Sequence, residues 1–231
     1  MKKILIFPLL LFFSITACSQ TENSKPNMKN LTDSVSYSIG FDIGSNLQKQ
    51  EITIEPDIFL AGIKDGIADT CKLTDAELQA VMQKFQTEMI LKQQKKSKEL
   101  AEKNKAEADA FFAQNKTKEG VTTLPNGLQY KVLKSGTGVT PKLSSKVKVH
   151  YAGRLLDGSE FDSSYKRGAP YVTNLTNVIK GWTEILQLMK VGDKWEVYIP
   201  SDLAYGERGS GPVIGPNAAL IFEMELMEIA N

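Results

Sequence analysis

The sequence predicts an α+β protein: an all-α N-terminal dimerisation region with a long connecting helix, then a curved antiparallel half-barrel sheet wrapped on one short helix. Three observations predict it. Residues 75–115 contain no Pro or Gly and are dominated by Gln, Glu, Lys and Ala, which favour uninterrupted helix. Runs at 128–133, 147–151, 194–199 and 220–226 alternate apolar and polar side chains, the period of half-buried strands. Among those strands one segment, 178–189, places Ile179, Trp182, Ile185, Leu186 and Met189 on a single helical face. Helices gathered before a run of strands, with one helix among them, make an α+β pattern.

Composition sets the outer bounds. A chain of 231 residues with 42% hydrophobic content suits one or two globular domains. A formal net charge of +1 provides no electrostatic footprint for nucleic acid. One His and two Cys exclude a dense disulfide framework and argue against a zinc site. No cofactor is called for.

Residues 1–17 read as a signal peptide. Lys2 and Lys3 form a basic start, and the apolar run from Ile4 to Phe13 is too short for a typical spanning helix. It ends in Ile15-Thr16-Ala17-Cys18, which resembles a bacterial lipobox with Cys18 as the lipidation site. The alternative is an ordinary secretory peptide with an incidental Cys. Residues 18–30 are polar and contain Pro26, as in a flexible tether.

Residues 31–115 read as a helical dimerisation domain plus linker helix. A first helix spans 33–49, capped by Asp33, with Val35, Ile39, Ile43 and Leu47 in one stripe beside Gly40 and Gly44. Each glycine costs a helix about 1 kcal/mol relative to Ala, so the pair suggests close approach of another helix. A second helix spans 56–68, with Pro56 in its first turn and an apolar face of Ile58, Phe59, Gly62, Ile63, Gly66 and Ile67. Two helices this short cannot bury both faces in one monomer, whereas an intertwined homodimer through residues 31–90 would. Cys71 is expected as a small buried hydrophobe rather than a redox centre or interchain bridge. Thr74 and Glu77 make a capping box for the long helix, whose roughly forty residues give a rod of about 60 Å. Its middle, 92–105, is almost wholly polar and reads as a spacer solvated on all sides, with Glu99 and Glu102 among the lysines. Residues 110–113, Ala-Phe-Phe-Ala, would dock the helix end or pair it with a neighbour.

Residues 116–231 form the second domain. In 147–162, Val147, Val149 and Tyr151 share one strand face, Asp157-Gly158 signals a tight turn, and the chain returns with Phe161 beside Asp162. Downstream come Val178-Ile179-Lys180-Gly181-Trp182, Ala204-Tyr205-Gly206 and Leu220-Ile221-Phe222. Taken in order, these motifs resemble the FKBP family of peptidyl-prolyl isomerases over about half the chain. The helices before them are similar to the N-terminal part of its macrophage infectivity potentiator (Mip) subgroup.

That resemblance implies a chemistry the residues suit. Rotation about a peptide C–N bond has a barrier of about 18–20 kcal/mol, and X-Pro bonds isomerise over tens of seconds or longer. A dry aromatic pocket favours the twisted amide over the polar planar one, and one placed donor can hold the rotated carbonyl. The resemblance implies that Tyr151, Phe161, Tyr171, Val178, Ile179, Trp182, Tyr205 and Phe222 line the pocket, with Trp182 as floor and Val213 and Ile214 as rim. It implies the Ile179 N–H and the Tyr205 hydroxyl as carbonyl donors, Asp162 at the twisting bond, and Arg167 as its partner. His150 is expected to be structural. Further implications are action on exported proteins as they fold, chaperone activity, macrolide inhibitors as ligands, and an outer-membrane lipoprotein of a Gram-negative cell envelope, periplasm-facing or surface-exposed. The rival reading is a non-catalytic peptide-binding chaperone or scaffold.

Overall fold

The computed structural model describes residues 26–230, so the predicted signal segment and Cys18 lie outside the described residues. Its contacts divide the chain into two compact units that meet between Thr74 and Asp75. The expected domain boundary at 115/116 follows the change from helix to strand; the division by contacts groups the long helix with the sheet.

The first unit holds two helices. Helix α1 is Leu31–Lys49, two residues longer at its start than predicted. Its cap is Asn30 rather than Asp33: the Asn30 side chain accepts from the Asp33 N–H at 2.9 Å. Asp33 lies in the first turn and accepts from the Lys29 N–H at 2.9 Å. Each side chain thereby satisfies a backbone donor at the helix start. Helix α2 is Pro56–Ile67, with Pro56 in its first turn. Neither helix has a buried residue. Val35, Ile39, Phe41, Ile58, Phe59, Ile63 and Ile67 are all exposed, and a side chain added at Gly40, Gly44, Gly62 or Gly66 would meet nothing within 4 Å. Cys71 is a free thiol and is exposed, contrary to expectation. It falls between α2 and the next helix, outside any packed face.

The second unit begins with α3, Asp75–Asn115, 41 residues long. As predicted, it is solvated through most of its length. From Leu100 onward it meets the rest of the unit, so the expectation of a spacer exposed to residue 105 needs correcting. Phe111 packs on Tyr198 at 5.6 Å between ring centres. Asn115 is fully buried, and its amide donates to Gln129 Oε1 at 3.0 Å. Gln129 in turn donates to the Phe112 carbonyl at 3.0 Å.

The sheet comprises β1 (Val121–Thr123), β2 (Gln129–Lys134), β3 (Lys146–Leu155), β4 (Glu160–Ser163), β5 (Tyr171–Asn174), β6 (Lys194–Ile199) and β7 (Leu220–Ala230). All pairings are antiparallel, in the order β1-β2-β6-β7-β3-β4, and β5 also pairs with β3. One edge of β3 is taken by β7 and the other is shared between β5 and β4. The predicted inward faces are the buried ones: Val147, Val149 and Tyr151; Trp195, Val197 and Ile199; Leu220, Phe222, Met224 and Leu226. They close on α4, Lys180–Leu186, whose Trp182, Ile185 and Leu186 complete the core with Met189 beyond its end. The helix is shorter than the predicted segment 178–189 and stops at Gln187, and Gly192 occupies the turn into β6 with φ of 93°.

Two glycines position the site. Gly158 turns the β3–β4 hairpin with φ of 88°, a conformation costly for other residues. Gly153 lies in β3 opposite Asp162 on one side and Phe222 on the other. A Cβ there would fall 2.6 Å from Phe161 Cζ and 2.7 Å from Phe222 Cε1. Its missing side chain is the space into which both rings pack.

Candidate active site

Between the concave face of the sheet and α4 lies a pocket of about 580 Å³. Strand β3 contributes Tyr151, β4 contributes Phe161 and Asp162, and the turn after β4 contributes Arg167. Tyr171 starts β5; Val178, Ile179 and Trp182 come from the entry and first turn of α4; Tyr205 follows β6 and Phe222 is on β7. Asn177 also lines the pocket and was not anticipated. Its one signal in the sequence was its place directly before Val178.

The aromatic rings meet edge to face. Trp182 is 4.8 Å from Tyr151 and 5.2 Å from Phe222 between ring centres, at 83° and 82°. Phe161 meets Phe222 at 5.6 Å and 88°. Such pairs add about 0.5–1.5 kcal/mol each beyond the area they bury, so the floor and walls brace one another. Trp182 and Phe222 are each only 4% exposed, which leaves their rings little room to move.

The polar side of the pocket is a closed triangle. The Tyr151 hydroxyl donates to Asp162 Oδ2, Arg167 Nη1 donates to Asp162 Oδ1, and Arg167 Nη2 donates to the Tyr151 oxygen at 2.8 Å. The Arg167 guanidinium also lies over the Tyr151 ring, 5.4 Å from its centre. The Asp162 and Arg167 side chains remain 41% and 47% exposed, so the pair sits at the pocket mouth rather than in its depth. An ion pair this wet contributes only about 0–1 kcal/mol to stability. Burial, followed by the hydrogen bond to Asp162, pushes the Tyr151 phenol up to about 12. Burial, followed by the charge of Asp162, also raises Tyr205. Both hydroxyls therefore keep their protons well beyond neutral pH.

Two donors border the pocket without partners. Among the described residues, neither the Ile179 backbone N–H nor the Tyr205 hydroxyl makes a hydrogen bond. Ile179 stands at the start of α4, where backbone donors are not consumed by the helix.

Val213 and Ile214 fall elsewhere, against expectation. Ser210 and Ile214 exchange backbone hydrogen bonds of 2.8 and 3.2 Å, folding the segment back on itself. Ile214 thereby joins the core at 7% exposure, while Val213 lines a separate cavity of about 320 Å³ against α3. His150 is outside the pocket: Nδ1 is 2.9 Å from Ser164 Oγ, and its ring stacks on Tyr165 at 4.7 Å.

A curved antiparallel sheet closed on one short helix, with an aromatic pocket between them, defines an FKBP-type isomerase. Residues 138–227 match the family described as FKBP-type peptidyl-prolyl cis-trans isomerase, and residues 32–132 match the domain amino terminal to it. The chain belongs to this family, in its Mip-like group, and is a peptidyl-prolyl cis-trans isomerase. It is 46% identical over 198 residues to outer membrane protein MIP of Legionella longbeachae, covering 85% of each chain. It is 44% identical over 210 residues to peptidyl-prolyl cis-trans isomerase Mip of Coxiella burnetii, covering 90% of this chain and 91% of that one. The crystal structure of FkpA from Escherichia coli superposes with a TM-score of 0.73 at 38% identity, over 88% of this chain and 98% of that one.

Proposed function

We propose that this pocket isomerises X-Pro bonds of exported proteins during folding, with Asp162, Tyr205, Ile179 and Phe161 as the catalytic groups. The proline ring packs on Trp182 between Tyr151, Phe161 and Phe222. Tyr171, Val178 and Arg167 complete the substrate wall, and the same apolar surface suits a macrolide ligand. The observation that carries the reading is the pair of free donors, the Ile179 N–H and the Tyr205 hydroxyl, beside an aromatic pocket whose two charged groups already bind each other. These donors hold the substrate carbonyl as the C–N bond twists. Asp162 stabilises the polarised, rotating amide, while Tyr151 and Arg167 hold its carboxylate in place.

A protease-coupled assay on a proline peptide tests this. Asp162→Val should lower kcat/KM by about tenfold or more, the scale of losing one electrostatic group at a reacting centre. Its melting temperature should stay within a few degrees of the parent, as expected for loss of a half-exposed ion pair. Wild-type turnover in the folded variant overturns the assignment.

The wider setting belongs to the same proposal. The uncovered apolar faces of α1 and α2, with their four open glycines, are surfaces that a second copy would cover, so the protein acts as a homodimer through residues 31–90. Two gripping sites would let it serve as a chaperone for unfolded clients. Lipidation at Cys18 anchors it as an outer-membrane lipoprotein of the cell envelope; the outer-membrane name of the Legionella relative supports that placement. Among the described residues no helix is long and apolar enough to cross a membrane. Cys18→Ser should therefore move the protein from the membrane to the soluble periplasmic fraction, and a variant that still pellets with membranes is anchored by other means.

A further inference from the structure

We infer that Asn104, on the connecting helix, is a positioning residue for Tyr205. The segment after Tyr205 is held in an unusual path: Gly206, Gly209, Gly211 and Asn217 all have positive φ, between 54° and 65°. Asn217 pays a steric penalty in that region that glycine avoids. The segment closes on itself through the Asn217 N–H, which donates to the Gly206 carbonyl at 2.9 Å. Gly206 is the residue next to Tyr205, so the path of 206–217 sets where the phenol stands.

The other side of this segment meets α3. The Asn104 amide donates to the Pro216 carbonyl at 2.8 Å, across 112 residues of sequence. Gly215 lies so near the helix that a Cβ there would come within 3.1 Å of Leu100 and 3.2 Å of the Asn104 amide nitrogen. Clefts open on both sides of this contact, one bordered by Lys103 and Val213 and the other by Lys98 and Glu207. Asn104 thus ties the segment to α3 through a side-chain hydrogen bond, with open space to either side. The neighbouring carbonyl it grips is one residue from Asn217, whose N–H closes the loop behind Tyr205. The physical chain runs Asn104 to Pro216, to Asn217, to Gly206, to Tyr205. Loss of the first link frees the loop, and the Tyr205 hydroxyl then spends less time where it can donate to a rotating carbonyl.

This inference rests on the proposed donor role of Tyr205, and the test separates the two. In the otherwise intact chain, Asn104→Ala and Asn104→Asp are assayed on a proline peptide, alone and combined with Tyr205→Phe. Asp keeps the shape but has no N–H to give. Both single variants should lower kcat by about three- to tenfold, the range of one net hydrogen bond, with KM little changed. In the Tyr205→Phe background neither should lower it further, because the group they position is gone. A loss that persists in full in that background, or unchanged kcat with only a lower melting temperature, assigns Asn104 to helix docking and overturns the inference. If Tyr205→Phe alone retains wild-type turnover, the donor role fails and the inference falls with it. If Tyr205→Phe is impaired but the Asn104 variants are not, only the inference falls.

Discussion

Gly153→Ala should damage the pocket from behind. The position is an ordinary strand residue with no positive φ, so the backbone accepts alanine. The added methyl is what the site cannot accept. It would fall 2.6 Å from Phe161 Cζ, 2.7 Å from Phe222 Cε1 and 2.8 Å from Phe161 Cε2. Carbon atoms at rest sit about 3.5–4.0 Å apart, so both rings must retreat by roughly 1 Å. Phe222 cannot do so alone, because it packs edge-on against Trp182 at 5.2 Å and Tyr151 at 6.1 Å. Overpacking of this kind costs about 1–3 kcal/mol, or roughly 2–12 °C in melting temperature for a unit of this size. Turnover should suffer more, since a misplacement of about 1 Å can cost on the order of a hundredfold in rate. The control is Gly158→Ala in the β3–β4 turn. There φ is 88° and nothing lies within 4 Å of the new methyl, so stability should fall by about 1–2 kcal/mol while kcat/KM is kept. Thermal melts and the protease-coupled assay on both variants decide the matter. Wild-type kcat/KM for Gly153→Ala would refute the reasoning, because it would mean that the ring positions do not set the activity.

Two other outcomes are expected. The Tyr151 phenol is raised from 10.0 to about 12 in the folded protein, so between those values the unfolded chain loses its proton first and the folded state binds more protons. Stability should then be independent of this group below pH 10 and fall from pH 10 to about 12; Tyr151→Phe should fall less steeply in urea melts over that window, and identical slopes would remove Tyr151 as the cause. Shortening the chain also has two distinguishable results. A chain beginning at Asp75 keeps Asn104, Phe111 and Asn115 in their contacts and should be a monomer by sedimentation, with normal peptide turnover but poor refolding of proline-limited proteins, since it would lack the second grip that the proposed homodimer supplies to raise effective concentration. A chain beginning at 116 keeps every pocket residue and should still turn over short peptides, but about three- to tenfold more slowly, because it also lacks Asn104. Equal activity of the long and short forms on a protein substrate would leave no role for a two-armed clamp.

Local periodicity made much of this fold legible. Alternation in β3, β6 and β7 identified the buried faces because a half-buried strand needs apolar residues on one side only, and the buried residues are the expected ones. The absence of Pro and Gly from 75 to 115 marked α3 to within a residue, because only those two interrupt a helix at large cost. Ten of the twelve predicted pocket and rim residues lie at one pocket, since their types and order carried the family resemblance.

What the sequence did not reveal depends on partners distant along the chain. The short strands β1 and β5 have three and four residues, too few to show a period, and exist because β2 and β3 offer them an edge. The family resemblance implied Val213 and Ile214 as a rim, but the backbone pairing of Ser210 with Ile214 turns one into the core and places the other beside α3. Gly153 gave no local sign of its role, which comes from two rings carried by the neighbouring strands. Asn104 read as one polar residue among many on a solvated rod, and its contact lies 112 residues away. Periodicity reports which face of an element avoids water; which atoms meet across that face is set by strand register and loop path, and these are decided only when the whole chain has folded.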